Sequence, residues 1–174
     1  MNQKMSLKDY IMNIPDFPKQ GILFRDITTL LKNKLAFKLA VESLAAKYKG
    51  KKVDIVVAVE ARGFILGGVL AHELGAGFVP VRKRGKLPWK TNSATYELEY
   101  GTDTLEMHHD AIKAGDRVLI VDDLLATGGT VKAVTDLVKQ LEGEIIGIAF
   151  LIELTALKGK EKLKDYPVFS LIKY

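Results

Sequence analysis

Cysteine is absent from the 174-residue chain. That excludes disulfides and thiolate metal centres, and it suits a reducing compartment. Histidine is scarce. The three present, His72, His108 and His109, match no catalytic or metal-binding motif. His72 reads as a helix residue and the other two as polar groups at a strand end. Long apolar runs are also missing. The longest, Ile145 to Ile152, is interrupted by Gly147 and is too short to span a bilayer. Near the start, Lys8 and Asp9 stand where a signal peptide needs an apolar centre. No export or anchoring segment is expected, and the expected location is the cytoplasm. Repeats, low-complexity tracts and linkers do not occur, so a single domain over 1–174 is expected.

What is present has the balance of a globular protein, 48% hydrophobic and 27% charged. The net charge of +5 comes from one place: Arg82, Lys83, Arg84, Lys86 and Lys90. Without these five, the remaining basic residues equal the 21 acidic ones. A basic face for nucleic acid is therefore not expected. A small polyanion explains the cluster at least as well.

Patterning predicts an α/β protein with a mainly parallel sheet. Ser6 and Asp9 have the spacing of a helix N-cap and its partner, in a short helix ending before Pro15. The segment IPDFPKQGILFRD, with two prolines and a glycine, reads as a structured loop. Residues 34–49 have apolar positions near helical spacing, closed by Gly50. Residues 54–59 form a β-branched buried strand, 63–74 a helix stopped by Gly75, and 78–83 another strand. Residues 84–93 read as a cationic loop, and 95–100 with 103–108 as a hairpin around Gly101. A strand over 117–121, a helix over 130–141, a strand over 144–152 and an edge strand over 168–171 complete the pattern. Strands alternating with helices give parallel pairing, and ligands of such sheets sit past the strands' carboxyl ends.

The chemistry concentrates in VLIVDDLLATGGT, Val118 to Thr130. An apolar strand ends in Asp122 and Asp123. A short loop then leads to Thr127-Gly128-Gly129-Thr130, which opens a helix. Glycines let successive backbone N–H groups converge on one anion, and the helix N-terminus adds partial positive charge. The spacing is neither that of a nucleoside triphosphate P-loop nor that of a dinucleotide fingerprint. Carboxylates repel phosphate, so the acidic pair must face another part of the ligand. Sugar hydroxyls, with or without a divalent cation, are the natural candidates.

This stretch resembles the signature of the type I phosphoribosyltransferases, which bind 5-phosphoribosyl 1-pyrophosphate. The resemblance implies that Asp122 and Asp123 contact the ribose hydroxyls, and that Ala126, Thr127, Gly128, Gly129 and Thr130 hold the 5-phosphate. The form DDLLATGGT is similar to the adenine-specific branch. In FPKQGILFRDIT, residues Leu23, Phe24 and Arg25 would supply the base pocket, with Phe24 as a stacking face. In VEARGF, Arg62 would bind pyrophosphate, and a non-proline cis peptide would fall at Glu60–Ala61. In VRKRGKLPWK, a mobile lid over 82–108 would begin. Arg82 would reach the pyrophosphate site of a neighbouring subunit, with Lys83 and Lys86 as further phosphate ligands. Trp89-Lys90 departs from the relatives' pattern here. In TYELEYG, Glu99 would be an acid near the base, and in LIELTALKG, Leu154 would pack on it opposite Phe24. Residues 1–33 would form a small hood.

The reaction implied is adenine plus the sugar pyrophosphate giving AMP plus pyrophosphate. Asp122 and Asp123 would face the charge developing on the ribose, and Glu99 would handle a purine proton. Mg²⁺ would be carried by substrate oxygens rather than a preformed protein cage, and a homodimer would complete the site. Two alternatives stay open: a transferase for hypoxanthine or xanthine, and a non-catalytic regulator sharing the fold.

Overall fold

The computed structural model describes residues 6–97 and 101–174. They group into two compact units, Met1–Ser43 and Leu44–Tyr174.

The first unit opens with a 3-10 turn, Leu7–Tyr10, rather than an α-helix; Ser6 makes no side-chain cap, and only its carbonyl accepts from the Asp9 N–H at 3.1 Å. Two strands follow, β1 (Met12–Pro15) and β2 (Leu23–Asp26), paired antiparallel from Met12↔Asp26 to Pro15↔Leu23. The expected loop is thus a hairpin. Pro15 ends an edge strand and Pro18 sits in the turn, where neither needs a ladder N–H. The Gly21 N–H donates to Asp16 Oδ1 at 2.7 Å and closes that turn. A single helical turn, α1 (Thr28–Leu31), precedes α2 (Lys34–Ala46), which begins in this unit and ends in the next. Asn33 accepts from the Leu35 and Ala36 N–H groups at 3.1 Å and so starts α2.

The second unit is built on a seven-stranded sheet. Its strands are β3 (Ile55–Val59), β4 (Gly77–Lys83), β5 (Thr91–Glu97), β6 (Thr102–His108), β7 (Arg117–Leu125), β8 (Glu144–Glu153) and β9 (Val168–Lys173), in the order β5-β6-β4-β3-β7-β8-β9. Pairing is parallel from β4 through β9 and antiparallel around β6. Helices α3 (Arg62–Leu74) and α4 (Gly129–Gln140) are the crossovers. Gly75 terminates α3 in the left-handed region at φ 64°. Val57, Ile120, Val134, Leu137, Ile148 and Phe150 are among the fully enclosed side chains of the main core.

Most boundaries lie within three residues of expectation, and two differ by four. Strand β5 starts at Thr91, inside the expected loop, because the hairpin ladder extends to Thr91↔His108. Strand β7 runs through both aspartates to Leu125, because β8 continues beside it as far as Leu125↔Glu153. Strands β3 and β7 are neighbours, and the chain leaves them towards opposite edges of the sheet. Their carboxyl ends therefore flank a crevice of the kind where α/β proteins bind ligands.

Candidate active site

The crevice is framed by three chain segments. Strand β3 delivers Glu60, Ala61 and Arg62; the Glu60–Ala61 peptide is cis, as the resemblance implied. Strand β7 delivers Asp122 and Asp123, and the loop after it leads into α4. Arg62 Nε stands 2.9 Å from Asp123 Oδ2, while the Asp123 N–H donates to Asp122 Oδ1 at 2.9 Å. Asp122 lies close against the start of α3: a methyl group built on Gly63 would stand 2.8 Å from its Oδ1.

Two carboxylates are thus held side by side with one guanidinium. Burial and the repulsion of Asp123 push the Asp122 carboxyl well above the usual carboxylate range. Asp123 is also raised by burial, and the Arg62 charge opposes that rise. Such a pair favours a ligand that brings hydrogen-bond donors or a cation, which is what ribose hydroxyls and a substrate-borne metal offer.

The loop forms a cleft of about 70 Å³ lined by Asp122, Ala126, Thr127, Gly128 and Thr130, with Leu124, Leu125 and Val131 behind. Gly128 is left-handed, φ 80°, and a methyl group on it would meet the Gly159 carbonyl oxygen at 2.5 Å. Glycine is required there on both counts. Gly129 and Thr130 open α4, whose first-turn N–H groups have no carbonyl partner within the helix.

The cationic segment is already engaged. Arg82 donates through Nε and Nη2 to Glu60 Oε2, at 3.3 and 3.0 Å, and through Nη1 to the Lys86 carbonyl at 3.2 Å. The Lys83 N–H donates to Glu60 Oε1 at 2.6 Å, and Lys83 Nζ pairs with Asp103 on β6 at 3.0 Å. Partial burial pushes Glu60 upward, but the Lys83 N–H and the Arg82 guanidinium outweigh it and hold the carboxyl below its usual range. A carboxyl held low adds stability above its unfolded pKa and loses it as pH falls through the folded value. Glu60→Gln is therefore expected to melt earlier than the parent at pH 7, with the gap narrowing as pH falls through the folded value. Equal melting at pH 7 would contradict the assignment.

The remaining expected residues are placed separately. Leu154 follows β8, with its N–H donating to the Leu125 carbonyl at 2.9 Å. Leu23, Phe24 and Arg25 lie on β2 in the first unit. Phe24 meets Phe17 edge-on at 5.0 Å, and Arg25 Nη1 donates to Asn13 Oδ1. Glu99 lies outside the described residues. The sequence reading missed two residues with clear geometric roles, Glu60 and Gly159. Each stands in a segment already singled out, but its partner became visible only once the segments were adjacent in space.

The family model for the phosphoribosyl transferase domain matches residues 28–174. A Brachyspira hyodysenteriae adenine phosphoribosyltransferase is 59% identical over 170 residues, covering 98% of this chain and 100% of that protein. The chain belongs to the adenine phosphoribosyltransferase family. Solved family members agree in fold. The Thermoanaerobacter pseudethanolicus adenine phosphoribosyltransferase superposes with a TM-score of 0.94 at 56% identity, covering 97% of this chain and 98% of its own. The Saccharomyces cerevisiae member, crystallised with adenine and an imino-altritol bisphosphate, gives 0.90 at 45% identity, covering 95% and 96%. Membership matches the branch read from DDLLATGGT. No helix among the described residues is long and apolar enough to cross a membrane.

Proposed function

We propose that the chain transfers the 5-phosphoribosyl group from 5-phosphoribosyl 1-pyrophosphate to adenine, giving AMP and pyrophosphate in purine salvage. The observation that carries this reading is the acidic pair near the carboxyl end of β7, set beside a glycine-rich loop, with Arg62 paired to Asp123. Ala126 to Thr130 receive the 5-phosphate. Asp122 and Asp123 face the ribose hydroxyls.

The bond from the anomeric carbon to the pyrophosphate oxygen breaks, and adenine N9 forms the new bond to that carbon. Positive charge grows on the ribose ring during the exchange, and the fixed carboxylates stabilise it. Arg62, Arg82, Lys83 and Lys86 take up the negative charge on the departing pyrophosphate. Glu99 accepts or returns a proton at a purine nitrogen, a role worth roughly 10²–10⁴-fold. Leu23, Phe24, Arg25 and Leu154 are assigned to the base. Residues 82–108 act as the lid that keeps water from the activated sugar.

Mg²⁺ fits the donor set, because Asp122 and Asp123 offer hard oxygens beside the cleft without forming a closed cage. When bound, it neutralises charge on the pyrophosphate. A symmetric homodimer is proposed, with Arg82 of one subunit serving the other's site. The cysteine-free chain suits the cytoplasm.

Pyrophosphate release with magnesium, measured separately for adenine, guanine, hypoxanthine and xanthine, tests the reading. Release with adenine alone is expected. Release with another base would keep the mechanism and overturn the base assignment. The family relatives favour adenine over that second reading.

A further inference from the structure

The 5-phosphate loop is backed by a part of the chain that has no place in the mechanism. Beyond Leu154, the chain makes a short turn (Thr155–Leu157), passes Lys158 in the left-handed region and enters a 3-10 turn, Gly159–Leu163. That second turn lies directly against the phosphate loop. A methyl group on Gly159 would stand 2.3 Å from the Ala126 carbonyl oxygen and 3.1 Å from the Gly128 nitrogen. From the other side, a methyl group on Gly128 would strike the Gly159 carbonyl oxygen at 2.5 Å. The two backbones touch with no side chain between them. Any displacement of one must therefore move the other, since packed backbone has no rotamer with which to yield.

The turn itself is held at two points. Leu163 is fully buried in the main core cluster. Lys160 Nζ lies 2.9 Å from Glu153 Oε2, a close ion pair rather than a well-aimed hydrogen bond. Glu153 ends β8 and is buried at 6% exposure, and it lies opposite Leu125 in the strand register. A buried carboxylate needs partners against the upward push of burial, and Lys160 is the foremost of those that hold Glu153 below its usual range, ahead of Ser170 and Lys173. Fixing Lys160 fixes the Gly159 that precedes it.

We propose that the Gly159–Leu163 turn, anchored by the Glu153–Lys160 ion pair, is a positioning element that sets the shape of the 5-phosphate loop. The proposal rests on the assignment of that loop to the sugar phosphate. Its residues touch no reacting atom. They act by keeping the N–H groups from Ala126 to Thr130 convergent on one anion. Of the residues assigned to the base, Leu154 adjoins the turn, its carbonyl accepting from the Leu157 N–H at 3.0 Å, so the effect is expected to be larger at the sugar end of the reaction than at the base.

The test compares the unsubstituted enzyme with Gly159→Ala, Lys160→Met and Lys160→Arg. Two readouts are taken: calorimetric binding of ribose 5-phosphate, and separate KM values for the sugar pyrophosphate and for adenine. Gly159→Ala is expected to weaken ribose 5-phosphate binding and raise the sugar-pyrophosphate KM by about 10–100-fold. The adenine KM should stay within about twofold. Lys160→Met should shift the same two quantities in the same direction, and Lys160→Arg should restore them. If Gly159→Ala does not fold, the Lys160 variants decide. Unchanged ribose 5-phosphate binding in the folded variants would overturn the proposal. So would an equal rise in both KM values, which would mark a general loosening of the fold. If the unsubstituted enzyme neither binds ribose 5-phosphate nor releases pyrophosphate, the reading of the whole site fails instead.

Discussion

Replacing Asp122 with asparagine is expected to make the protein harder to unfold and nearly inactive. The two effects share one cause. The Asp122 carboxyl is pressed against the start of α3, beside Asp123, and its protonation equilibrium is shifted upward by burial and by that neighbour. For a carboxyl whose folded pKa lies above the unfolded one, stability is fully present below the unfolded pKa. It is lost as pH rises through the folded value. At neutral pH the charged form therefore costs stability. Asparagine keeps the oxygen that accepts the Asp123 N–H and removes the charge. A higher melting temperature at pH 7 follows, about 2–4 °C for each kcal/mol regained in a chain of this size. At about pH 3 the parent carboxyl is protonated as well, and the difference should disappear. Catalysis is expected to move the other way, because the lost charge is the one proposed to face the developing ribose cation. A fall in kcat of roughly 10²–10³-fold is expected. Thermal melts at the two pH values and initial rates with adenine check both halves. A lower melting temperature at pH 7, or near-normal turnover, would contradict the role given to Asp122.

Arg62→Met is the second large effect, and here stability and activity fall together. Arg62 is the cation that answers the buried Asp123 carboxylate. Methionine keeps much of the stem's packing and removes the charge. Asp123 is then left buried without that partner, at a cost of about 1–3 kcal/mol with Arg62 only partly screened from water. The penalty should shrink as pH falls, because an unpartnered Asp123 takes up a proton more readily than a paired one. The proposed pyrophosphate contact of Arg62 is lost as well, and kcat/KM should drop by roughly 10²–10³-fold. The double variant Arg62→Met/Asp123→Asn separates the two roles: it should regain stability and not activity. Denaturant titration beside steady-state kinetics makes the comparison. If the double variant were no more stable than Arg62→Met, the Arg62–Asp123 pair would not be the source of the loss.

The elements that lay closest to expectation are those whose signal is local. The β-branched run at 55–59, the helix stopped at Gly75, and the strand–loop–helix of Val118 to Thr130 each carry their own periodicity and stop residue. The segments around the site were legible for the same reason: an acidic pair followed by TGGT states its chemistry in adjacent residues. Boundaries were less legible. Nothing in Asp122 and Asp123 says that they continue a strand; the length of β8 beside them decides it. The N-terminal hairpin was hidden because Pro15 and Pro18 usually mark irregular chain, and only the pairing of residues 12–15 with 23–26 makes them compatible with strands.

Sequence alone determined the alternation of strands and helices and the glycine-rich turn with its acidic neighbours, because each depends on interactions within a few residues. The tertiary structure alone decided that Glu60 holds Arg82 and that Gly159 backs Gly128. Those contacts join residues distant in the chain, and they exist only after β3 has paired with β4 and β7 with β8. A glycine in a turn looks the same in sequence whether open water or another backbone lies beside it; packing alone makes the difference.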